Sequence, residues 1–263
     1  MALTTAYADD LRQPHPCDHL VQLYTDEAFL GRVVAEFVGT GLAAGEAAVI
    51  IATPAHAALF RRELAATGLD VPAAEARGQL VIRDAHACLD RFMVDGMPDR
   101  DRFLGLVRPL RAEVGASGYS KFRLYGEMVD LLWKQSMPAT TALESLWTEF
   151  LAETGASLLC AYRMDNFDRR LQRGVLHDIT ACHSELIPVE DYDRLERAVT
   201  RAYHEIFGAA GDAESLRQHI VARCDIGTKM PPAEAALLAL HEVTPFIADS
   251  VIDRARRHYN AQP

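Results

Sequence analysis

The chain has 263 residues, of which 49% are hydrophobic and 24% are charged. This balance is typical of a globular protein with a sizeable core and excludes disorder as the main state. Its 27 basic and 37 acidic residues give a net charge of −10, which disfavours non-specific binding to nucleic acid. The length fits one medium-sized domain followed by a smaller one.

The N-terminal segment and the cysteines indicate a cytoplasmic protein. Residues 1–17 lack the basic start and apolar run of a signal peptide, and we expect them to be flexible. The longest apolar run, Ala47–Ala52, is far shorter than the roughly 18 residues of a membrane span. Five scattered cysteines without a CxxC pair predict free thiols in a reducing compartment. We therefore expect no membrane partner.

Strands and helices are predicted to alternate over residues 19–162. Short apolar runs bounded by turn residues predict five strands, at residues 19–24, 47–52, 79–83, 121–125 and 157–162. Between them, apolar residues recur every three or four positions, as on the buried face of a helix. This order predicts an α/β fold with a mostly parallel sheet of five or more strands and helices on both faces.

Small residues mark the ends of several predicted helices. Thr25 is predicted to cap the first helix, which Gly41 and Gly45 are expected to end. Thr53 and Pro54 are predicted to open the next helix, because proline suits the first helical position.

Beyond Arg163 only helical periodicity is found. Four helices are predicted, at residues 175–182, 189–207, 213–224 and 232–259, and Pro245 should kink the last of them. Residues 184–263 are therefore expected to form an all-helical C-terminal extension. Because this extension is acidic, it offers no basic recognition helix, and we expect no nucleic-acid partner.

The sequence lacks the common motifs for phosphate binding and serine hydrolysis. The glycines around Gly41 lie between a helix and the following strand, the reverse of a phosphate loop, and no Lys-Ser/Thr pair follows them. No Gly-x-Ser-x-Gly elbow is present. A conventional ATPase and a serine hydrolase are therefore disfavoured, and no cofactor is assigned.

A metal site has no diagnostic spacing in this sequence. The densest group of possible ligands is His177, Asp178, Cys182 and His183, which His19 or Cys160 could approach from the sheet to form a mixed N/S/O site. No HExxH or paired-cysteine pattern supports such a site. These residues are expected to be structural, and we predict no metal ligand. The sequence leaves open whether His177, Cys182 or His183 binds a metal.

Polar and aromatic side chains follow the carboxyl ends of the predicted strands, where open α/β sheets bind ligands. They are Tyr24, Thr53, Asp84, Glu127 and Tyr162. Together they could form a polar pocket with aromatic walls. An equally good interpretation is that Glu127 caps the helix that follows it. The two tryptophans fit core packing or a ligand wall, and Trp133 is kept as a candidate ligand-binding residue.

Several motifs, in order along the chain, resemble one known family. They are HLVQLY at 19–24, GE at 45–46 with TP at 53–54, FMVDGMP at 92–98, GEMVDLLW at 126–133, LCAY at 159–162 and HSELIP at 183–188. This pattern is similar to the MEDS family, the methanogen/methylotroph sensory domain. The resemblance implies a RecA-like, non-catalytic sensory domain without a phosphate loop, over residues 18–183.

The resemblance also adds His19 and Cys160 to the candidate ligand-binding residues. Members commonly begin with a His-x-Cys-x-x-Tyr-like segment, whereas here Val21 stands at the cysteine position. The resemblance therefore gives no expectation of thiol or metal chemistry on this strand.

Three functional hypotheses remain open from the sequence. The favoured one is a cytoplasmic signalling protein that binds a small molecule or a protein partner at the carboxyl edge of its sheet and relays this through its helical tail. The alternatives are a protein interaction or dimerisation module without a ligand, and an enzyme that uses Glu127 as a general base. We expect a homo-oligomer, since a sensor usually needs an interface as well as a pocket.

Overall fold

The structure is a computed structural model that describes residues 5–168, 174–208, 212–224 and 229–261. The chain divides into two compact units, with a boundary after Arg163. We call residues 5–163 the α/β unit and the part from residue 164 onwards the helical unit. No helix in the described ranges is both long and apolar enough to cross a membrane.

The α/β unit contains five parallel strands side by side, which confirms the predicted parallel sheet. Their spatial order is β3 (Leu80–Asp84), β2 (Ala47–Ala52), β6 (Phe122–Gly126), β7 (Ser157–Arg163) and β1 (His19–Tyr24). All residues of β1 and β2 are buried. Strands of this kind are covered on both faces, which explains their continuous apolar sequences.

Helices cover both faces of these strands. They are α1 (Thr5–Arg12), α2 (Glu27–Ala43), α3 (Pro54–Ala66), α4 (Val71–Ala76), α5 (Ala85–Phe92), α6 (Arg100–Ala116), α7 (Met128–Trp133) and α8 (Met137–Thr154). Tyr125 of β6 packs edge-on against Phe60 of α3 at 4.9 Å between ring centroids. The next residue, Gly126, faces Trp147 of α8. Because neighbouring side chains in a strand point to opposite faces, α3 and α8 lie on opposite sides.

Two predictions about the ends of helices were wrong. Asp26, not Thr25, caps α2, since its carboxylate accepts the N–H of Phe29 at 2.7 Å. Gly41 lies inside α2 rather than at its end. Its lack of a side chain serves packing, because a Cβ there would lie 2.5 Å from Nε of Arg123. The prediction that Thr53 and Pro54 open the next helix is confirmed: α3 begins at Pro54, and Oγ1 of Thr53 accepts the N–H of His56.

Several short elements were not predicted. Helix α1 lies within the segment that we expected to be flexible, and its Leu11 is fully buried. A small hairpin, β4 (Met93–Val94) and β5 (Met97–Pro98), turns through Asp95 and Gly96, both with positive φ. This is the backbone that two-residue hairpins require.

The helical unit has its own apolar core. Its elements are α9 (Leu176–Thr180), β8 (Glu185–Ile187), α10 (Tyr192–Phe207), α11 (Ala213–Ala222), α12 (Pro232–Val243) and α13 (Pro245–Ala261). Side chains of α10, α12 and α13 pack into one buried cluster. Pro245 separates two helices instead of kinking one, because the residue before a proline avoids helical backbone. Strand β8 was missed, since three residues give no alternation to detect.

Candidate functional site

Glu127 lies at the carboxyl end of β6, next to the end of β2. Only 3% of the residue is exposed. Its Oε1 accepts the backbone N–H of Thr53 at 2.5 Å, and its Oε2 lies 2.6 Å from Nδ1 of His56. Tyr125 donates its hydroxyl to Oε2 at 3.0 Å. We call Thr53, His56, Tyr125 and Glu127 the Glu127 cluster.

The Glu127 cluster lies at a switch point of the sheet. After β2 the chain continues to β3 on one side, whereas after β6 it continues to β7 on the other. The two connections diverge at the carboxyl ends of neighbouring strands, and ligands of open α/β sheets bind in the crevice formed there.

The carboxylate of Glu127 does not cap the helix that follows it. Helix α7 has no side-chain cap from Glu127, so that interpretation of the sequence was wrong. The carboxylate instead turns across to Thr53 and His56, which lie at the start of α3. An acceptor with two titratable neighbours within hydrogen-bond reach is an arrangement that can hold a proton or orient a ligand.

Hydrogen bonding and burial set the protonation of this cluster. The bond to Glu127 raises the pKa of His56 above its usual value, although partial burial opposes this shift. Burial also raises the pKa of Tyr24 and of Tyr125, so both phenols stay neutral. The rings of Tyr24 and His56 meet edge-on, with centroids 6.2 Å apart.

The outer side of the cluster offers two polar atoms. Within the described ranges we find no hydrogen-bond partner for Nε2 of His56 or for the hydroxyl of Tyr24. The imidazole is 13% exposed. These two groups are therefore available to a ligand that reaches the edge of the sheet.

We expect the stability of the α/β unit to depend on pH through His56. Because its folded pKa is raised, its contribution is complete below the unfolded value of about 6.5 and is lost as the pH rises through the folded pKa. The urea midpoint of unfolding, measured by tryptophan fluorescence, should therefore fall as the pH is raised from about 6 to about 9. In Glu127→Gln the midpoint should fall less over this pH range. In the control His86→Gln, which alters an exposed histidine, it should fall as in the wild type. If the midpoint of Glu127→Gln fell with pH as steeply as that of the wild type, the bond between His56 and Glu127 would not be the source of the pH dependence.

A hydrogen bond to Asp130 holds Trp133 at the same carboxyl edge of the sheet. The Asp130 Oδ1 accepts the indole N–H of Trp133 at 2.9 Å and the backbone N–H of Arg163 at 2.8 Å. Burial raises the pKa of Asp130, although both bonds oppose this shift. Trp133 is half-buried, whereas Trp147 is only 1% exposed. Trp147 therefore belongs to the core, and Trp133 remains a candidate ligand contact.

A second polar group lies on the opposite face, under α8. Nε2 of His19 lies 3.2 Å from Oε2 of Glu144 and 3.4 Å from Sγ of Cys160. Cys160 Sγ lies 3.5 Å from the same oxygen. Tyr162 donates its hydroxyl to Oε1 of Glu144. We call these four residues the α8 cluster; all are at most 3% exposed. Tyr162 was expected beside Glu127, and the structure places it here instead.

The structure does not bring Asp84 to either cluster. Its carboxylate accepts the N–H of Ala87 at 2.8 Å and caps α5. It borders a shallow groove of about 280 Å³ with Arg83 and Arg91. A larger groove of about 590 Å³ lies between Arg108 and Ser120, and it contains no predicted site residue.

The histidines and cysteine left open in the sequence have different partners. His177 Nδ1 pairs with Glu242 at 3.0 Å on the surface. His183 is buried, with Nδ1 2.7 Å from the carbonyl of Ile179. Cys182 Sγ lies 3.5 Å from the carbonyl of Asp178.

Two important residues were missed from the sequence. His56 lies in the first turn of α3, directly after the predicted Thr53–Pro54 start. This position next to the end of a strand could have identified it as a candidate site residue. Glu144 interrupts the buried apolar face of α8 formed by Leu143, Trp147 and Leu151. A carboxylate on the buried face of a helix is uncommon without a partner, and this also was a usable signal.

Comparison with known proteins now identifies the family. The sequence pattern of MEDS, the "MEthanogen/methylotroph, DcmR Sensory domain", matches residues 18–184, which is more than half of the chain. The chain therefore belongs to the MEDS family of sensory domains. No curated protein sequence matches it.

Among solved structures, a KaiC-like protein, PH0186, from the hyperthermophilic archaeon Pyrococcus horikoshii OT3 is similar. The two share 17% identity with a TM-score of 0.40 over 57% of this chain. The similarity spans 62% of that protein's length.

Proposed function

We propose that this protein is a non-catalytic sensory protein that binds a small molecule at the carboxyl edge of its sheet, beside the Glu127 cluster. The observation that carries the proposal is the buried Glu127 carboxylate, which holds Thr53, His56 and Tyr125 at the switch point between β2 and β6. Membership of a sensory family supports the sensory role.

The hydrogen bonds of Glu127 favour positioning over catalysis. Both of its carboxylate oxygens already accept from groups of the protein, so the side chain orients His56 rather than facing a substrate. His56 Nε2 and the Tyr24 hydroxyl are then the groups that contact the ligand. The 2.6 Å contact between Glu127 and His56 also fits an enzyme whose histidine moves a proton, and this is the second candidate function.

We further propose that ligand occupancy is passed on by the C-terminal helices. Such a relay needs two states that differ in ligand affinity. Apolar residues of the last two helices are mostly buried inside the helical unit: Leu240 of α12 and Val251 and Ala255 of α13 are fully buried. Phe246 is 98% and Ile247 is 37% exposed, a small patch that gives limited support to a pure dimerisation module.

Native mass spectrometry of the purified protein tests the proposal first. A retained adduct of constant mass supports a sensor, whereas an adduct converted with time supports the enzyme. The same spectrum gives the number of subunits. A small-molecule library screened by thermal shift then provides ligands where none is retained.

Glu127→Gln is expected to weaken the binding of such a ligand at least about tenfold, equivalent to about 1.4 kcal/mol. The glutamine can still accept the N–H of Thr53, but it no longer holds His56 through a charged acceptor. The control Asp84→Asn, which alters a carboxylate outside the cluster, should bind as the wild type does. An equal ligand-induced rise in Tm for wild type and Glu127→Gln would remove Glu127 from the site.

A further inference from the structure

We propose that His19, Glu144 and Cys160 of the α8 cluster bind a divalent transition-metal ion of the zinc type. The three side chains come from β1, α8 and β7, and β1 is far from the other two elements in sequence. One ligand atom of each lies within 4.8 Å of the others, and all three residues are buried. The site lies on the opposite face of the sheet from the Glu127 cluster and does not depend on the proposed function.

The spacing of the three atoms fits one face of a tetrahedron. Zinc binds nitrogen and oxygen at about 2.0–2.2 Å and sulfur at about 2.3 Å, so tetrahedral ligand atoms lie about 3.3–3.6 Å apart. Here the distances are 3.2 Å for Nε2 to Oε2, 3.4 Å for Nε2 to Sγ and 3.5 Å for Sγ to Oε2. An ion held by the three atoms would take its fourth ligand from outside this set.

Hydrogen bonds orient His19 and Glu144 as metal ligands require. The Thr148 hydroxyl donates to the carbonyl of Glu144 at 3.1 Å, so its oxygen is left to accept the N–H of His19 Nδ1 at 3.2 Å. This tautomer directs the Nε2 lone pair at Cys160 and Glu144. Metal-bound histidines are commonly held through their second nitrogen in this way. Tyr162 holds Oε1 of Glu144, which leaves Oε2 facing His19.

The charges of the three groups balance those of the ion. A thiolate, a carboxylate and a neutral imidazole carry two negative charges, which a divalent ion neutralises in a buried site. Nitrogen, sulfur and oxygen ligands together suit zinc rather than magnesium or calcium. Binding breaks the S–H bond of Cys160, forms the metal–sulfur bond and releases one proton to solvent.

The thiol comes from the neighbouring strand. Cys160 is the register partner of Val21. Because parallel partners with the same facing lie about 4.8 Å apart, Cys160 can reach the histidine two residues before Val21. The lack of a cysteine in β1 therefore does not remove thiol chemistry from this part of the sheet.

Cobalt titration of protein stripped with a chelator tests the proposal. We expect one Co²⁺ per chain, a thiolate-to-cobalt charge-transfer absorption, and loss of this absorption when Zn²⁺ is added. Cys160→Ser should abolish the absorption, whereas Cys88→Ser, which alters another buried cysteine, should retain it. A folded wild-type protein without the absorption, or Cys160→Ser with an undiminished one, would overturn the proposal.

Glu144→Gln provides a second variant of nearly unchanged shape. It should weaken Zn²⁺ binding at least about tenfold, while Glu127→Gln should bind Zn²⁺ as the wild type does. Zn²⁺ should also raise the Tm of wild type and of Cys88→Ser more than that of Glu144→Gln. Equal Zn²⁺ affinity in Glu144→Gln and wild type would exclude Glu144 as a ligand. Circular dichroism establishes that each variant is folded.

Discussion

Replacing Arg123 with leucine is expected to destabilise the α/β unit by about 3–5 kcal/mol. Only 4% of Arg123 is exposed. Its Nε donates to Oε2 of Glu46 at 2.6 Å, and its Nη1 donates to the carbonyl of Phe37 at 2.8 Å and to Oγ1 of Thr40 at 3.1 Å. Leucine would leave a largely buried carboxylate and a carbonyl without these donors, which costs more than the ion pair itself contributes.

Urea unfolding followed by tryptophan fluorescence measures this loss, because both tryptophans lie in the α/β unit. Arg83→Leu is the matched control. Arg83 pairs with Glu113 at 2.6 Å, but both side chains are more than a third exposed, so the control should lose at most about 1 kcal/mol. Similar losses in the two variants would contradict the structural role of Arg123.

Trp147→Ala is expected to destabilise the same unit by about 3–5 kcal/mol, since it removes a large side chain from a packed core. Trp147 meets the ring of Phe103 edge-on at 4.9 Å and that of Phe150 at 6.1 Å. It also anchors α8, the helix that supplies Glu144. Zn²⁺ binding by the variant should therefore weaken together with its stability.

Trp133→Ala is the control for this prediction. Trp133 is half-buried, and its removal should cost less than about 2 kcal/mol, chiefly from the lost hydrogen bond to Asp130 and some packing. Each variant keeps the other tryptophan, so fluorescence still reports unfolding in both. Equal losses would show that Trp147 is not the core residue that its burial indicates.

The sequence predicts the sheet well because its strands are short apolar runs between turn residues. Such local patterns survive without knowledge of the fold. The helix that begins at Thr53 is also local, since the cap and the proline are adjacent. The helix break at Pro245 depends on the backbone of one or two residues, and strand β8 has only three residues. Periodicity over longer windows resolves neither of them.

The candidate site is less predictable because strand register decides which side chains meet. Tyr24 and Tyr162 both end strands, yet Tyr162 is the partner of Leu23, one residue before Tyr24. The pleat therefore sends the two rings to opposite faces, one towards His56 and the other towards Glu144. His56 lies far from Glu127 in sequence, and Glu144 lies far from His19. Only the packing of α3 and α8 against the sheet brings each pair together.

The cap of α2 has a consequence for ligand selectivity. In nucleotide-binding proteins, the free N–H groups at the start of a helix after a strand hold a phosphate. In α2 the carboxylate of Asp26 already accepts one of these groups, and Glu27 adds negative charge in the first turn. Glu127 and Asp130 lie at the same edge of the sheet. An anion would meet repulsion there, so we expect any ligand of the proposed site to be uncharged or cationic.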